Sequence, residues 1–386
     1  MRNIRKWSRC SAPAQWPLSC RIFRKKRRPV VEPCLDRAPF KNLPRLPVCA
    51  IVFSKLSVRT MNYRQLGRTG YRISEVSLGA WQIGNAWGNV SEADAERLLN
   101  RAIDMGINFF DTADVYGDGR SERLIARVLC GRKDAVVATK AGRRLQPHSA
   151  DGYNRQNLTA FIERSLKNLA REALDLVQLH CPPNEVYYRP EVFEVLDSLK
   201  SAGKILHYGV SVEKVEEALK AIEYPGVESV QIIFNIFRQR PKDFFFDRAK
   251  EKHAGIIVRL PLSSGLLSGK IRKDTQFAPD DHRSFNRHGE QFDRGETFSG
   301  VDFDVALAAV EELRGIVPAG ESMAMFSLRW ILDHDAVSCV IPGARNDDQV
   351  QQNAQASDLP RLSEEQHAAI EEIYNRRIKP LVHQRW

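Results

Sequence analysis

The stretch that decides the fold runs Ile107-Asn108-Phe109-Phe110-Asp111-Thr112-Ala113-Asp114-Val115-Tyr116-Gly117. It opens on a short apolar run, ends that run on a carboxylate, and turns through small residues onto a tyrosine and a glycine. Such a run is what a strand buried on both faces looks like. Just upstream, Ser91-Glu92-Ala93-Asp94 starts a helix in the manner of a capping box, with Ala95, Leu98, Leu99, Ala102 and Ile103 along one face. Helix and buried strand together make one unit, and the unit recurs.

Working outward, the apolar runs are Val76–Leu78, Ile107–Asp111, Ala135–Thr139, Leu174–His180, Ile205–Val210, Val230–Phe234, Gly255–Leu260 and Ser338–Ile341. Helical patterns lie between them, at Arg155–Leu169, Pro190–Ser201, Val212–Ala221 and Asp348–Ala356. Eight strand–helix units in about 300 residues predict an α/β fold, a closed (β/α)8 TIM barrel rather than an open sheet. We expect a short β-hairpin before it, a long charged loop at Gly265–Ser299 after strand seven, and an extra helix at Ser363–Arg376. A loop of that length in a compact domain is a functional lid or a disordered insert.

Composition separates the first 60 residues from this pattern. The chain has 386 residues and a net charge of +10. Residues 1–60 hold 15 lysines and arginines against Glu32 and Asp36, a net +13, which leaves −3 for residues 61–386. The patterned part is therefore not basic, and nucleic acid is not an expected partner except through the tail. The tail is proline-rich, carries the run Arg21–Arg28, and lacks periodicity, so it is expected to be disordered. We read Met61 as the initiator and 61–386 as the folded domain; a basic patch for nucleic acid or an acidic membrane, and a transit peptide, stay open. No apolar stretch approaches the ~18 residues of a membrane-spanning helix. Cys130, Cys181 and Cys339 are scattered through the domain, which suggests a reduced compartment, the cytoplasm.

Barrels of this kind put their chemistry at the C-terminal ends of the strands. Those ends offer Asp111, then Tyr116 after the turn, Lys140 and His180. Singly, each has an ordinary reading: a turn cap, a packed aromatic, a snorkelling lysine, a satisfied core histidine. Together they are coherent. A lysine at a buried rim needs an anion, which Asp111 would supply. Lys140 would favour the phenolate of Tyr116 and lower its pKa from ~10, and His180 could hydrogen-bond the same oxygen. A tyrosine so placed serves as general acid to a carbonyl oxygen accepting hydride. There is no metal-ligand motif, Gly-x-Ser-x-Gly element or P-loop. Cys181, beside His180, is read as a small buried residue rather than a nucleophile.

These four residues resemble the Asp/Tyr/Lys/His tetrad of the aldo-keto reductases, in its bacterial, general-purpose branch. The resemblance also includes Leu66-Gly67-Arg68-Thr69-Gly70, Gly79-Ala80-Trp81, Gly209-Val210-Ser211, Gln231, Asn235, Pro261-Leu262-Ser263-Ser264-Gly265, Ile341-Pro342-Gly343-Ala344-Arg345 and Asn353. It implies an oxidoreductase that moves hydride between NADP(H), with NAD(H) possible, and an aldehyde, ketone or alcohol, without a metal. Tyr116 would be the proton donor, Lys140 its activator, Asp111 the partner of Lys140, and His180 the group that orients the substrate, with Trp81 beside it in the pocket. Ser211 and Gln231 match positions that hold the nicotinamide carboxamide. Pro261, Leu262, Ser263 and Gly265 match the cofactor loop, and Gly343, Ala344, Arg345, Gln349 and Asn353 the adenosine end.

Three positions depart from the best-known branch. Arg259 stands where a tyrosine stacks on nicotinamide, and Val212 where an asparagine follows the serine. Gly343 and Gln349 stand where a lysine and an arginine grip the 2′-phosphate, so Arg345 is expected to do so here. Potassium-channel β-subunits resemble the same reductases, and a cofactor-binding partner protein is the alternative reading. Trp87, Tyr187, Tyr188 and Phe285 are further candidate pocket aromatics. Substrate and oligomeric state are not legible.

Overall fold

The computed structural model describes residues 61–84 and 90–386. The basic tail, the choice of Met61 as initiator and Trp87 lie outside the described residues. A two-stranded antiparallel hairpin comes first, β1 (Tyr63–Gln65) and β2 (Arg72–Ser74), with Tyr63 opposite Ser74. Eight parallel strands follow in sequence order: β3 (Leu78–Gly79), β4 (Phe109–Asp111), β5 (Val136–Ala141), β6 (Leu174–His180), β7 (Ile205–Ser211), β8 (Val227–Ile233), β9 (Gly255–Arg259) and β10 (Val337–Val340). The first and last meet through parallel bridges, Val76 to Val340 and Gly79 to Gly343. Ser77 N–H donates to the Val340 carbonyl at 2.9 Å, and Val340 N–H to that of Glu75 at 2.9 Å. The sheet closes into the expected (β/α)8 barrel.

Helices cover the outside between strands. Five were legible as patterns, among them Glu92–Asp104, capped by the Ser91 hydroxyl, and Arg155–Leu169, capped by Asn154. The capping box at Ser91 is not the usual reciprocal one: Asp94 accepts from the serine hydroxyl at 2.7 Å. The helix expected at Val212–Ala221 starts at Val215, because Val212 N–H still pairs with Gln231 of β8. Met323–Leu332 had no amphipathic signature; Phe326, Leu328, Arg329, Trp330 and Ile331 are all buried, so no polar stripe marks it.

Period-two alternation fills the barrel interior. Its lower half is apolar, with Phe109, Val136, Ala138, Leu176, Ile257 and Cys339, and the hairpin's Leu66 and Ile73 pack against them. Two residues further along the same strands the side chains become polar: Asp111, Lys140, Gln178, Ser211, Gln231 and Arg259. One end of the barrel is thus plugged and the other is chemical.

The long loop is ordered, not a disordered insert. It is built from short turns at Ser263–Ser268, His282–Phe285, Arg294–Glu296 and Phe298–Gly300. Side chains stitch it: Asn286 Oδ1 accepts from the amides of Gln291 (2.8 Å) and Phe292 (3.0 Å), and Ser264 Oγ from that of Phe298 (3.1 Å). Turns held by side chains carry no apolar period, which is why the sequence looks patternless there. Trp386 supports the loop from below. Its Nε1–H donates to Asp293 Oδ1 at 2.8 Å and its ring lies 4.0 Å from the Arg238 guanidinium. A β-carbon at Gly300 would stand 2.4 Å from that ring, and one at Gly295 2.9 Å. The extra helix is present as Glu364–Ile373, continued by a π-helical turn to Ile378. Among the described residues no helix is long and apolar enough to cross a membrane.

Candidate active site

Asp111 ends β4 and Lys140 lies near the end of β5, and the register sets Asp111 beside Ala138. The inward-facing alternation then brings the two charges together. Lys140 Nζ donates to Asp111 Oδ1 at 2.5 Å and to the Thr112 carbonyl at 2.9 Å. It also lies 3.5 Å from Tyr116 Oη. Asp111 Oδ2 accepts from Gln231 Nε2 at 2.7 Å and Gln178 Nε2 at 3.3 Å. The ring of His180, the last residue of β6, stands edge-on to that of Tyr116 at 6.0 Å, and Trp81 tilts over the other side at 6.5 Å. All four tetrad residues are therefore gathered at the polar end of the barrel.

Their protonation follows from burial and charge. Burial would drive the Lys140 ammonium toward neutrality, but Asp111 and then Tyr116 outweigh it and hold the ammonium above its usual value. The Tyr116 phenol is raised above 10: burial is the larger effect, and the opposing pull of Lys140 only reduces it. The expected net lowering of this phenol is corrected accordingly. Burial, then the charges of Arg143, Lys140 and Arg259, hold His180 well below the ordinary histidine value, so its imidazole is neutral at pH 7. Its Nδ1 has no hydrogen-bond partner. Burial pushes the Cys181 thiol up to about 12, which removes it as a nucleophile.

A cavity of about 540 Å³ opens over this group. Of the residues assigned from sequence, Trp81, Asp111, Tyr116, His180, Ser211, Gln231, Arg259, Pro261, Leu262, Gly265, Gly343, Ala344, Arg345, Gln349 and Asn353 all line it. Lys140 stands behind Asp111 and Tyr116. Ser263 does not reach the cavity: it is buried and its hydroxyl shares a 2.9 Å hydrogen bond with Ser299 Oγ, so its expected cofactor contact is withdrawn. Gln231 is committed on one side to Asp111. Tyr187 is buried in the core, and Tyr188 and Phe285 are exposed away from the cavity; the aromatic from the long loop that lines it is Phe292.

The helix at Asp347–Gln355 is capped by Asn346, whose Oδ1 accepts from Gln349 N–H at 2.9 Å. Its first turn carries Asp347 and Asp348, so the positive charge at this end of the cavity comes from Arg345 and Arg283 rather than the helix start alone.

Sequence reasoning missed a second charged group. Arg143 follows β5, Glu213 follows β7, Arg259 ends β9 and Glu296 comes from the long loop. Arg143 Nη2 lies 2.5 Å from Glu296 and 3.4 Å from Glu213. Arg259 Nη2 lies 2.9 Å from Glu213 Oε2 as an ion pair whose N–H points elsewhere, to the Val212 carbonyl at 3.0 Å. Burial holds the Glu213 carboxyl far above the carboxylate range, while Arg143 and Arg259 overcome the burial of Glu296 and keep it ionised. Donor atoms of Cys181, Glu213 and Glu296 fall within 4.8 Å of one another, but the two guanidinium groups already supply the positive charge there. The signal for this group was a charge directly after each of three strand ends.

The cavity can hold a dinucleotide and a small substrate. Polar atoms without a protein partner face that use: Gln82 Oε1, His180 Nδ1 and Arg259 Nε are buried and unpaired. Ser211, Gln231 and Arg259 are placed for a nicotinamide amide, and Arg345 for a phosphate. Comparison with known proteins agrees. The aldo/keto reductase family profile matches residues 75–375. The aldo-keto reductase YhdN of Bacillus subtilis is 30% identical over 79% of this chain and 92% of its own. A probable voltage-gated potassium channel β-subunit of Oryza sativa is 28% identical over 81% of this chain and 96% of its own. The solved structure of the glycerol dehydrogenase AKR11B4 from Gluconobacter oxydans superposes with a TM-score of 0.68 at 29% identity, over 82% of this chain and 96% of that one. On its tetrad, its barrel and these relatives, the chain belongs to the aldo/keto reductase family.

Proposed function

We propose that this protein is an NADPH-dependent reductase of aldehydes and ketones, running in reverse on alcohols, with Tyr116 as general acid and base. The observation that carries the reading is the chain Asp111–Lys140–Tyr116, at 2.5 and 3.5 Å, at the floor of a cavity shared with His180. The nicotinamide, when bound, supplies or accepts hydride; the rest is done by this chain. Tyr116 Oη gives its proton to the substrate oxygen, and Lys140 stabilises the phenolate that remains. Asp111 keeps Lys140 charged and in place, and is itself held by Gln178 and Gln231. Neutral His180 turns a ring nitrogen to the same oxygen without competing as an acid. Ser211, Gln231 and Arg259 hold the nicotinamide end, and Arg345 selects the 2′-phosphate. The three free thiols of the domain fit a cytoplasmic protein.

The test is the full chain assayed by nicotinamide absorbance. Tyr116→Phe should cost on the order of 10³ in kcat with cofactor affinity kept. A phenylalanine variant that turns over normally refutes the reading. Arg345→Ala should weaken NADPH more than NADH, and equal losses would reassign the 2′-phosphate. Cofactor binding with no turnover on any carbonyl would favour the partner-protein reading that the channel β-subunits suggest.

A further inference from the structure

The Arg143–Glu296 pair lies on the cavity wall and takes no part in the proton transfer. Both residues line the cavity with Tyr116 and His180, at 24% and 13% side-chain exposure, so a substrate can touch them. Both charges act on the Tyr116 phenol, which places them close to the reacting carbonyl. Arg143 engages Glu296 and Glu213 through Nη2 alone; its Nε and Nη1 make no hydrogen bond among the described residues. Glu296 is ionised and accepts only.

A donor-only guanidinium beside an acceptor-only carboxylate is the complement of a hydroxyl group, which does both. A plain alkyl chain in that place would strip water from the free Arg143 donors and return nothing. A phosphate or carboxylate would gain from Arg143 and be repelled by Glu296 at the same distance. We propose that Arg143 and Glu296 are the specificity determinants of this site, selecting short aldehydes with an uncharged hydroxyl next to the carbonyl. The proposal rests on the reductase reading above and names its substrate class.

The experiment compares kcat/KM of the full chain, with NADPH, on glyceraldehyde, propanal and glyceraldehyde 3-phosphate. Glyceraldehyde should lead both by roughly 10- to 100-fold, the worth of hydrogen bonds to charged groups. Arg143→Met should bring the glyceraldehyde-to-propanal ratio toward one, and Arg143→Lys should restore part of it. Glu296→Gln should raise the phosphate ester relative to glyceraldehyde. Propanal at parity with glyceraldehyde in the unaltered protein overturns the proposal while leaving the reductase intact, and needs no variant to fold. A ratio unmoved by Arg143→Met also overturns it. No turnover of any of the three overturns the reductase reading, and this proposal with it.

Discussion

Two groups of buried charge face one cavity, and they are built differently. Lys140 and Asp111 sit on adjacent strands, and Asp111 takes three donors, from Lys140, Gln178 and Gln231. Arg143, Glu213, Arg259 and Glu296 come largely from strand-following segments and a loop, and leave Glu213 Oε2 and Arg259 Nε without a hydrogen bond. Fixed, saturated charges suit a proton transfer that needs one geometry. Charges with bonding capacity left over suit recognition, since a ligand can complete them. Asp114 is a third case in the same turn as Asp111: fully buried, neither oxygen hydrogen-bonded, and raised to about 7, by burial first and then Glu122.

That contrast can be broken at its strongest point first. Lys140→Met should cut kcat by about 10³ or more and cost about 3–5 kcal/mol of stability, because Asp111 becomes an uncompensated buried charge. Steady-state kinetics and urea unfolding read the two effects. Glu296→Gln should lose about 3 kcal/mol in the same unfolding assay, since two guanidinium groups lose their ionised partner.

Asp114 separates burial from pairing. Its folded value lies above the ordinary carboxylate value, so between about pH 4 and 7 the folded state holds the extra proton. Its contribution is therefore full at low pH and lost as pH rises through 7, by about 4 kcal/mol at most. Asp114→Asn should match the parent at pH 4 and exceed it at pH 8; equal stability at both would remove the claim. The smallest effect belongs to Glu213→Gln. A carboxyl that already keeps its proton is replaced by a neutral isostere, so the change should stay under about 1 kcal/mol. A loss as large as that of Glu296→Gln would show the two carboxyls to be equivalent.

How much was legible follows from where each signal is stored. Ile107–Asp111 and Leu174–His180 announced their strands because burial on both faces leaves an unbroken apolar run. The tetrad was legible because barrel chemistry sits at strand ends, where position in sequence gives position in space. Ser263 was misassigned because its neighbours do line the cavity and only the left-handed turn at Ser263 and Ser264 turns it inward to Ser299. Phe292 was passed over for Phe285 because side chains, not periodicity, set the path of that loop. The raised phenol of Tyr116 was missed because charge can be counted in a sequence and desolvation cannot.

The ring of Trp386 lies against Gly295 and Gly300, and its indole N–H is bonded to Asp293. The turn that carries Glu296 into the cavity is thereby fastened to a residue ninety positions away in the chain. Across a set of related sequences these positions should covary: glycines at 295 and 300 with tryptophan at 386, larger residues with something smaller. Shape at the cavity wall is, in that sense, inherited as one character written in three places.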